Sequence, residues 1–377
     1  MMLRLLFLFL LLVSIGVNGQ NFNVYISDAG NFNNPPWQIL RTDKNGVNVT
    51  VFTKEKLNWP QDILFLEDSN TVLISNLGAN SISRHNATTG AYINLFASSI
   101  QGPTRMKIGP DSLLYVLQWK GSGKVKRYDL SGRYVDDFTS VGVPQSIGLD
   151  WDKQGNLYVS SYNGDLVRKF DTSGADSGLF IDSSLVGPTN IWIEPNGDML
   201  VLDYDGGAVK RFDAQGKYQG VFISGLGKCE GIDRLPNNDW LIGNGSSRSV
   251  KLYDTQGKYK KEFVPGSTAG LRTPNAVVLR MVKDTTDTTT NNIVNIKPEE
   301  FGLIYPTVGD SFTITNELPN SIMSVMVFDM NGKLVERLSL IEEQITWTGN
   351  NLQEGYYVFH FQMKNGSLIK NRIYLRP

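Results

Sequence analysis

Trp119, Tyr162 and Tyr204 each follow a polar residue and precede a short turn, written Lys120-Gly121, Asn163-Gly164 and Asp205-Gly206. Flat rings beside polar side chains suit a sugar or a peptide, because the ring covers C–H surface while its neighbours meet hydroxyls or amides. Asp203, directly before Tyr204, is one such neighbour, and Arg105 has the forked donor set that holds a carboxylate. A different set, Asp62, Asn190 and Glu230, supplies the oxygen ligands that calcium or magnesium prefers. The first set describes a binding surface and the second a candidate divalent-metal site. Competing with both are plain structural duties: rings packing between neighbouring elements, and polar side chains satisfying backbone groups and channel waters.

Composition removes several classes of function. Basic and acidic residues are balanced, 36 Lys+Arg against 37 Asp+Glu, and they are interspersed, which argues against nucleic acid or an anionic membrane as the main partner. With only His85 and His360 in the chain, a histidine metal site or histidine general base in the repeats is not expected. His85 reads as a turn-stabilising or solvent-facing residue. No Gly-x-Ser-x-Gly or His-Glu-x-x-His pattern is present, and the Gly-Ser-Gly-Lys run at 121–124 lacks the rest of a phosphate loop. The stretch DWDKQG at 150–155 opens like a calcium loop but has Ser161 where the twelfth-position Glu belongs, so it reads as a turn. Cys229 stands alone and can form no intramolecular disulfide, which makes it a buried small residue.

The elements that must position these residues are repeats. The unit at 187–222, GPTNIWIEPNGDMLVLDYDGGAVKRFDAQGKYQGVF, contains four short apolar strands separated by Asn, Asp and Gly turns. Its opening Pro188 recurs as Pro60, Pro103, Pro144 and Pro274, with Cys229 in the remaining copy. The closing turn recurs as RTDKNG, RHNATTG, RYDLSG, KFDTSG and LYDTQG. A period of roughly 41 to 45 residues, with β-branched and aromatic strands, fits the blades of a β-propeller. The first copy, 24–52, has the last three strands of a blade, and the missing first strand is TPNAVVLR at 273–280. Pairing of the two ends closes a ring of six blades and leaves no free strand edge between them.

In such a disc the starts of the first strands and the ends of the second strands share one face around the central channel. Gln61, Thr104, Gln145, Thr189, Glu230 and Asn275 follow the blade openers, and Asp62, Arg105, Ser146, Asn190, Gly231 and Ala276 come next. Calcium or magnesium in the channel would draw on Asp62, Asn190 and Glu230, with Arg105 repelling it. At the second-strand ends, Asp28, Asn76, Gln118, Ser161, Asp203 and Asn244 form one level. Ala29, Leu77, Trp119, Tyr162, Tyr204 and Gly245 form the next, so three consecutive blades contribute rings.

Residues 1–19 have one Arg, a leucine-rich centre and a small or polar end, and read as a secretory signal peptide with no membrane anchor left after cleavage. The propeller is expected over 20–280. Residues 281–298, rich in Thr, Asp and Asn, read as a linker, and 299–377 as a small Ig-like β-sandwich of about seven short strands. The fold class is therefore all-β, a six-bladed propeller with a small C-terminal sandwich.

The motifs IYP at 304–306, FTIT, VFDMNGKLV at 327–335 and LQEGYYVFHF at 352–361 resemble the C-terminal sorting domain of the type IX (Por) secretion system. Thr307 and Val308 stand where that family usually has Asn-Pro. The resemblance implies the type IX machinery as a partner and delivery to the outer-membrane surface or the medium. The blades GNLYVSSYNGDLVRKFD at 155–171 and GDMLVLDYDGGAVKRFD at 197–213 resemble the NHL and gluconolactonase-like propellers. That group implies the fold, and it hosts lactonases, lyases and pure binding modules alike. The expectation is an exported propeller that binds a glycan or peptide through Trp119, Tyr162, Tyr204, Arg105 and Asp203. The competing expectation is a metal-dependent lactonase built on Asp62, Asn190 and Glu230.

Overall fold

Alternating apolar residues and recurrent Asp-x-x-Gly turns produce six four-stranded antiparallel sheets. The computed structural model describes residues 21–282 and, further on, 304–305, 308–315, 322–329, 334–338, 344–349, 352–363 and 368–375. The signal-peptide and linker readings lie outside the described residues. The chain divides into two compact units between Thr286 and Asp287, and each is described by itself.

Blade 1 joins the two ends of the repeat region: Pro274–Met281 pairs with Phe22–Asp28, followed by Gln38–Asp43 and Thr50–Thr53. Ile26 lies opposite Val277 and Tyr25 opposite Val278, so the strand expected to close the ring does so. Blade 2 runs through Pro60–Leu66, Thr71–Asn76, Ser81–Asn86 and Tyr92–Ser98, and blade 3 through Pro103–Ile108, Leu114–Gln118, Lys126–Tyr128 and Tyr134–Asp137. Blade 4 is Ser146–Trp151, Leu157–Ser161, Leu166–Phe170 and Asp176–Ile181. Blade 5 is Pro188–Ile193, Met199–Asp203, Ala208–Phe212 and Tyr218–Ile223, and blade 6 is Cys229–Arg234, Trp240–Asn244, Ser249–Tyr253 and Tyr259–Val264.

The core is distributed between blades. Each pair of neighbours shares one apolar cluster, from Tyr25 and Ile63 between blades 1 and 2 round to Val277 and Val250 between blades 1 and 6. Cys229 is buried in the cluster of blades 5 and 6, and burial pushes its thiol up to about 12, which leaves it inert. Burying apolar side chains between blades contributes about 25 cal/mol per Å² and is the main stabiliser of a fold without disulfides.

Backbone contacts add a second, periodic fastening. Gly46, Gly90, Gly132, Gly174, Gly216 and Gly257 end the turns between third and fourth strands, all at positive φ. Each lies against the backbone carbonyl of a phenylalanine in the preceding blade: Phe263, Phe52, Phe96, Phe138, Phe180 and Phe222 in turn. A Cβ at any of them would overlap that oxygen, which is why the turn requires glycine. Inside five of these turns an Asp, and in blade 2 Asn86, accepts at least two N–H groups, as Asp213 Oδ1 does from Gln215 and Lys217 at 3.0 and 2.9 Å. Of the segment 150–155, Asp150 and Trp151 end the first strand of blade 4 and 152–155 is a turn of this kind, with Asp152 Oδ1 accepting from Gln154 and Asn156 at 3.0 and 2.9 Å.

The C-terminal unit has a three-stranded sheet, Ile304–Tyr305, Phe312–Thr315 and Gln344–Trp347, and a five-stranded sheet. The latter orders Val308–Gly309, Leu368–Leu375, Gly355–Met363, Ile322–Asp329 and Leu334–Leu338. Phe312, Trp347, Phe359, Phe361 and Ile373 from both sheets form its core, which makes it a sandwich of the Ig-like kind.

Candidate functional site

On the face where the second strands end, a cavity of about 220 Å³ opens over the centre of the propeller. Trp119, Tyr162 and Tyr204 stand side by side along its wall, with ring centroids 5.6 Å apart for the first pair and 5.8 Å for the second. All three are half-buried, as a position at the head of a turn dictates. The wall continues through Phe32 and Trp59, whose rings are 5.3 Å apart, so five aromatics surround the opening. Gln61, Thr189, Glu230 and Asn275, all placed directly after blade openers, line it as well.

The wall rings are themselves held. Tyr162 Oη donates to Asp205 Oδ2 at 2.6 Å, and Lys228 pairs with the same carboxylate while its Nζ sits 4.8 Å from the Tyr204 centroid. Burial would raise the Asp205 carboxyl, but Lys228 and Tyr162 hold it below the usual carboxylate range. Burial, then the bond to Asp205, pushes the Tyr162 phenol up, so it stays protonated and donating.

Beneath this cavity the channel is closed by Arg105. Its guanidinium donates to the carbonyls of Gln61 and Asn275, reaches Glu230 Oε1 at 3.3 Å, and lies 3.8 Å from Asp62 Oδ1. With its amide oriented to satisfy its neighbours, Gln61 donates to Glu230 Oε1 at 3.0 Å and accepts from Trp59 Nε1 at 2.7 Å and Asn275 Nδ2 at 2.5 Å. Burial, with the charge of Asp62 adding to it against Arg105, raises Glu230 to about 7. Burial also raises Asp62.

The candidate metal ligands do not gather. Glu230 lines the aromatic cavity, whereas Asp62 and Asn190 line a second one of about 180 Å³ on the other side of Arg105. They sit one residue further along their strands, about 3.3 Å deeper in the channel. Asp62 Oδ2 accepts from Met106 N at 2.8 Å and Asn190 Oδ1 from Ile191 N at 3.0 Å, while the guanidinium takes the space between the carboxylates. These residues therefore do not fit a calcium or magnesium ion. Among the described residues no three His, Cys, Asp or Glu side chains form a metal-ligand cluster.

Two of the expected binding residues have other duties. Arg105 is 4% exposed and committed to the closure just described, so it does not offer its fork to a ligand in the aromatic cavity. Asp203 is fully buried: its Oδ1 accepts from Val186 N at 2.6 Å and its Oδ2 meets Lys210 Nζ at 2.5 Å. Three other residues of its level work this way, while Ser161 Oγ donates to Pro144 O at 2.7 Å and Asn244 Oδ1 accepts from Ser247 N at 3.1 Å. Asp28 accepts from Thr273 N at 2.9 Å, Asn76 from Asn58 N at 2.9 Å and Gln118 from Gln101 N at 3.2 Å, tying each second strand to the loop that opens its own first strand. The recurrence of polar residues there was the signal for a structural ring. His85 is fully buried, not solvent-facing; its ring nitrogens meet Gly90 O and Ser83 Oγ at 3.1 and 2.9 Å, and burial holds its pKa low.

Comparison with known proteins follows the two units. Residues 303–374 match the family described as secretion system C-terminal sorting domain. No curated protein sequence matches the chain. A chain in the crystal structure of a nidogen/laminin complex is similar at TM-score 0.56 and 14% identity, over 69% of this chain and 98% of that one. A protein of unknown function from Bacteroides caccae is similar at TM-score 0.56 and 15% identity, over 70% of this chain and 100% of that one. At such identities the likeness is one of fold. The repeat region folds as a six-bladed β-propeller, and it is followed by a type IX secretion-system sorting domain. The sorting domain indicates export to the cell surface or secretion, and no helix among the described residues is long and apolar enough to cross a membrane.

Proposed function

We propose that this chain is an exported binding module whose aromatic cavity takes one projecting group of a glycan or peptide, and that residues 1–19 and the sorting domain route it out of the cell through the type IX machinery. The observation that carries the reading is the contiguous arc of Trp119, Tyr162 and Tyr204 along one open cavity. Rings of this kind supply contact area at little conformational cost and anchor recognition sites. A cavity of about 220 Å³ is below the size of pockets that bury a drug-sized ligand, so one sugar ring or side chain enters while the rest lies across the rim. The lactonase reading has no comparable support, since Arg105 stands among its ligands.

The test is a glycan and peptide array probed with the full chain and with its Trp119→Ala, Tyr204→Ala variant. Signals present for the wild type and absent for the variant support the reading. Identical array patterns for the two proteins would place the function elsewhere.

A further inference from the structure

We infer that the group entering the aromatic cavity is an alkylammonium, the side chain of a lysine or methylated lysine on a peptide; this rests on the binding-module reading and narrows it. Three observations converge on a cation.

The first is the hydrogen-bonding capacity left in the wall. Tyr162 spends its hydroxyl proton on Asp205, and Thr189 directs its own to the carbonyls of Leu202 and Cys229 at 3.2 and 3.0 Å. The Gln61 amide is used by Glu230, Asn275 and Trp59. At the floor the capacity that remains is for accepting: the Glu230 carboxylate, and Asn275 Oδ1, which has no partner among the described residues although Asn275 is only 1% exposed; the further donors of the cavity, Trp119 Nε1 and Tyr204 Oη, belong to the rings of its wall. A cation matches such a floor, a lysine ammonium by donating and a trimethylammonium by its charge against the carboxylate and the rings.

The second is charge. Asp62 and Glu230 are both buried and share a single guanidinium, whose other contacts are backbone carbonyls. Arg105 is shared between Asp62, which faces the second cavity, and Glu230, which lines this one, so the Glu230 carboxylate is left incompletely paired, and buried charges are stable only when paired. Burial, with the charge of Asp62 adding to it against Arg105, raises the Glu230 carboxyl to about 7.

The third is the wall. Five rings turn around a site of this size, and an ammonium against aromatic faces is attracted by their quadrupoles. Lys228 already places its own ammonium 4.8 Å from the centroid of Tyr204 at this face.

The test uses the full chain at pH 8 and the tryptophan fluorescence of Trp59 and Trp119, with calorimetry alongside. The probes are a capped pentapeptide with one central lysine, its trimethyllysine and acetyl-lysine forms, glucose and glucosamine. The lysine and trimethyllysine peptides are expected to bind, and the acetyl-lysine peptide at least tenfold more weakly, because it keeps the stem and loses the charge. Glu230→Gln should weaken the lysine peptide at least tenfold. Should that variant fail to fold, the charge series on the wild type decides alone. Equal affinity for the acetyl-lysine peptide, or glucose binding that Trp119→Ala abolishes and Glu230→Gln leaves intact, overturns the cation assignment and leaves the binding module standing. Glucosamine binding without peptide binding overturns the peptide source. If none of these probes binds and the arrays are also blank, both readings fall together.

Discussion

Arg105 Nη2 lies 3.3 Å from Glu230 Oε1, which joins blades 3 and 6 across the centre of the disc. Through Asp62 and the carbonyls of Gln61 and Asn275 the same guanidinium also holds blades 2 and 1. One side chain thus ties four blades and separates the two cavities. An ion pair so buried is strongly damaging to break from one side, because the abandoned charge has no solvent.

The Glu230 carboxyl gives this centre a pH signature. Burial, together with Asp62 and against Arg105, raises it from 4.5 to about 7. Between about 4.5 and 7 the folded protein therefore keeps a proton that the unfolded chain has released. Stability attributable to this group falls as pH rises through that interval and levels off above about 7. Other charged and titratable groups near it are Tyr162, Tyr204 and Cys229. Urea midpoints at pH 5 and pH 8 should show a larger loss for wild type than for Glu230→Gln, by on the order of 2 to 3 kcal/mol. Equal losses would mean that Glu230 titrates normally.

The turn glycines allow a paired comparison. Gly216 and Gly225 both have positive φ, +80° and +71°, but a Cβ on Gly216 overlaps Phe180 O whereas one on Gly225 meets nothing within 4 Å. Alanine at either position carries the left-handed backbone penalty, roughly 1 kcal/mol. Gly216→Ala must in addition push two blades apart, which adds about 1 to 3 kcal/mol. Thermal melting of the two variants reads the difference. If Gly225→Ala proves as harmful as Gly216→Ala, the contact with the neighbouring blade is not what requires glycine.

Much of the fold was legible because each blade writes its own turns and apolar alternation into about forty residues, and Pro188, Ile191 and Asp213 recur at matching places. The arc of Trp119, Tyr162 and Tyr204 was legible for the same reason. Phe32 was not, since it rides on the 29–37 loop, which has no counterpart in the other copies and is held by Trp37 Nε1 donating to Phe32 O at 2.8 Å. Trp59 was missed because it stands before the blade opener, where other copies have Gly102, Gly187 or Lys228. The separation of Asp62 and Asn190 from Glu230 depends on depth along the channel and on where one long side chain, Arg105, comes to rest. Repeat alignment puts Glu230 one residue before the level of Asp62 and Asn190, but it does not say that the Arg105 side chain comes to rest between them.

Closure should be separable from delivery. Val277 is 2% exposed between blades 1 and 6, and its strand supplies the innermost pairing of blade 1. A chain ending at residue 298 keeps that strand and is expected to melt like the propeller of the full chain while failing to leave the cell. One ending at residue 272 loses the strand's hydrogen bonds and its apolar cover together, and should show no cooperative melting transition. A cooperative transition in the shorter chain would sink the closure account.

The arc makes the last prediction, since its rings are half-buried at a rim and not locked in an interblade cluster. Trp119 meets only Tyr162 among the described ring contacts, and Tyr204 meets Tyr162 and the ammonium of Lys228. Removing Trp119 and Tyr204 therefore strips cavity wall and leaves the shared apolar clusters of the blades intact. A ring packed on a ligand contributes on the order of 1 to 3 kcal/mol, so the double Ala variant should bind whatever the arrays identify at least tenfold more weakly. Its melting temperature should drop by no more than a few degrees, as expected for positions outside the core. Calorimetry beside thermal melting separates the outcomes: a large loss of stability with unchanged affinity would show that the rings hold blades together and that the ligand meets another part of the disc.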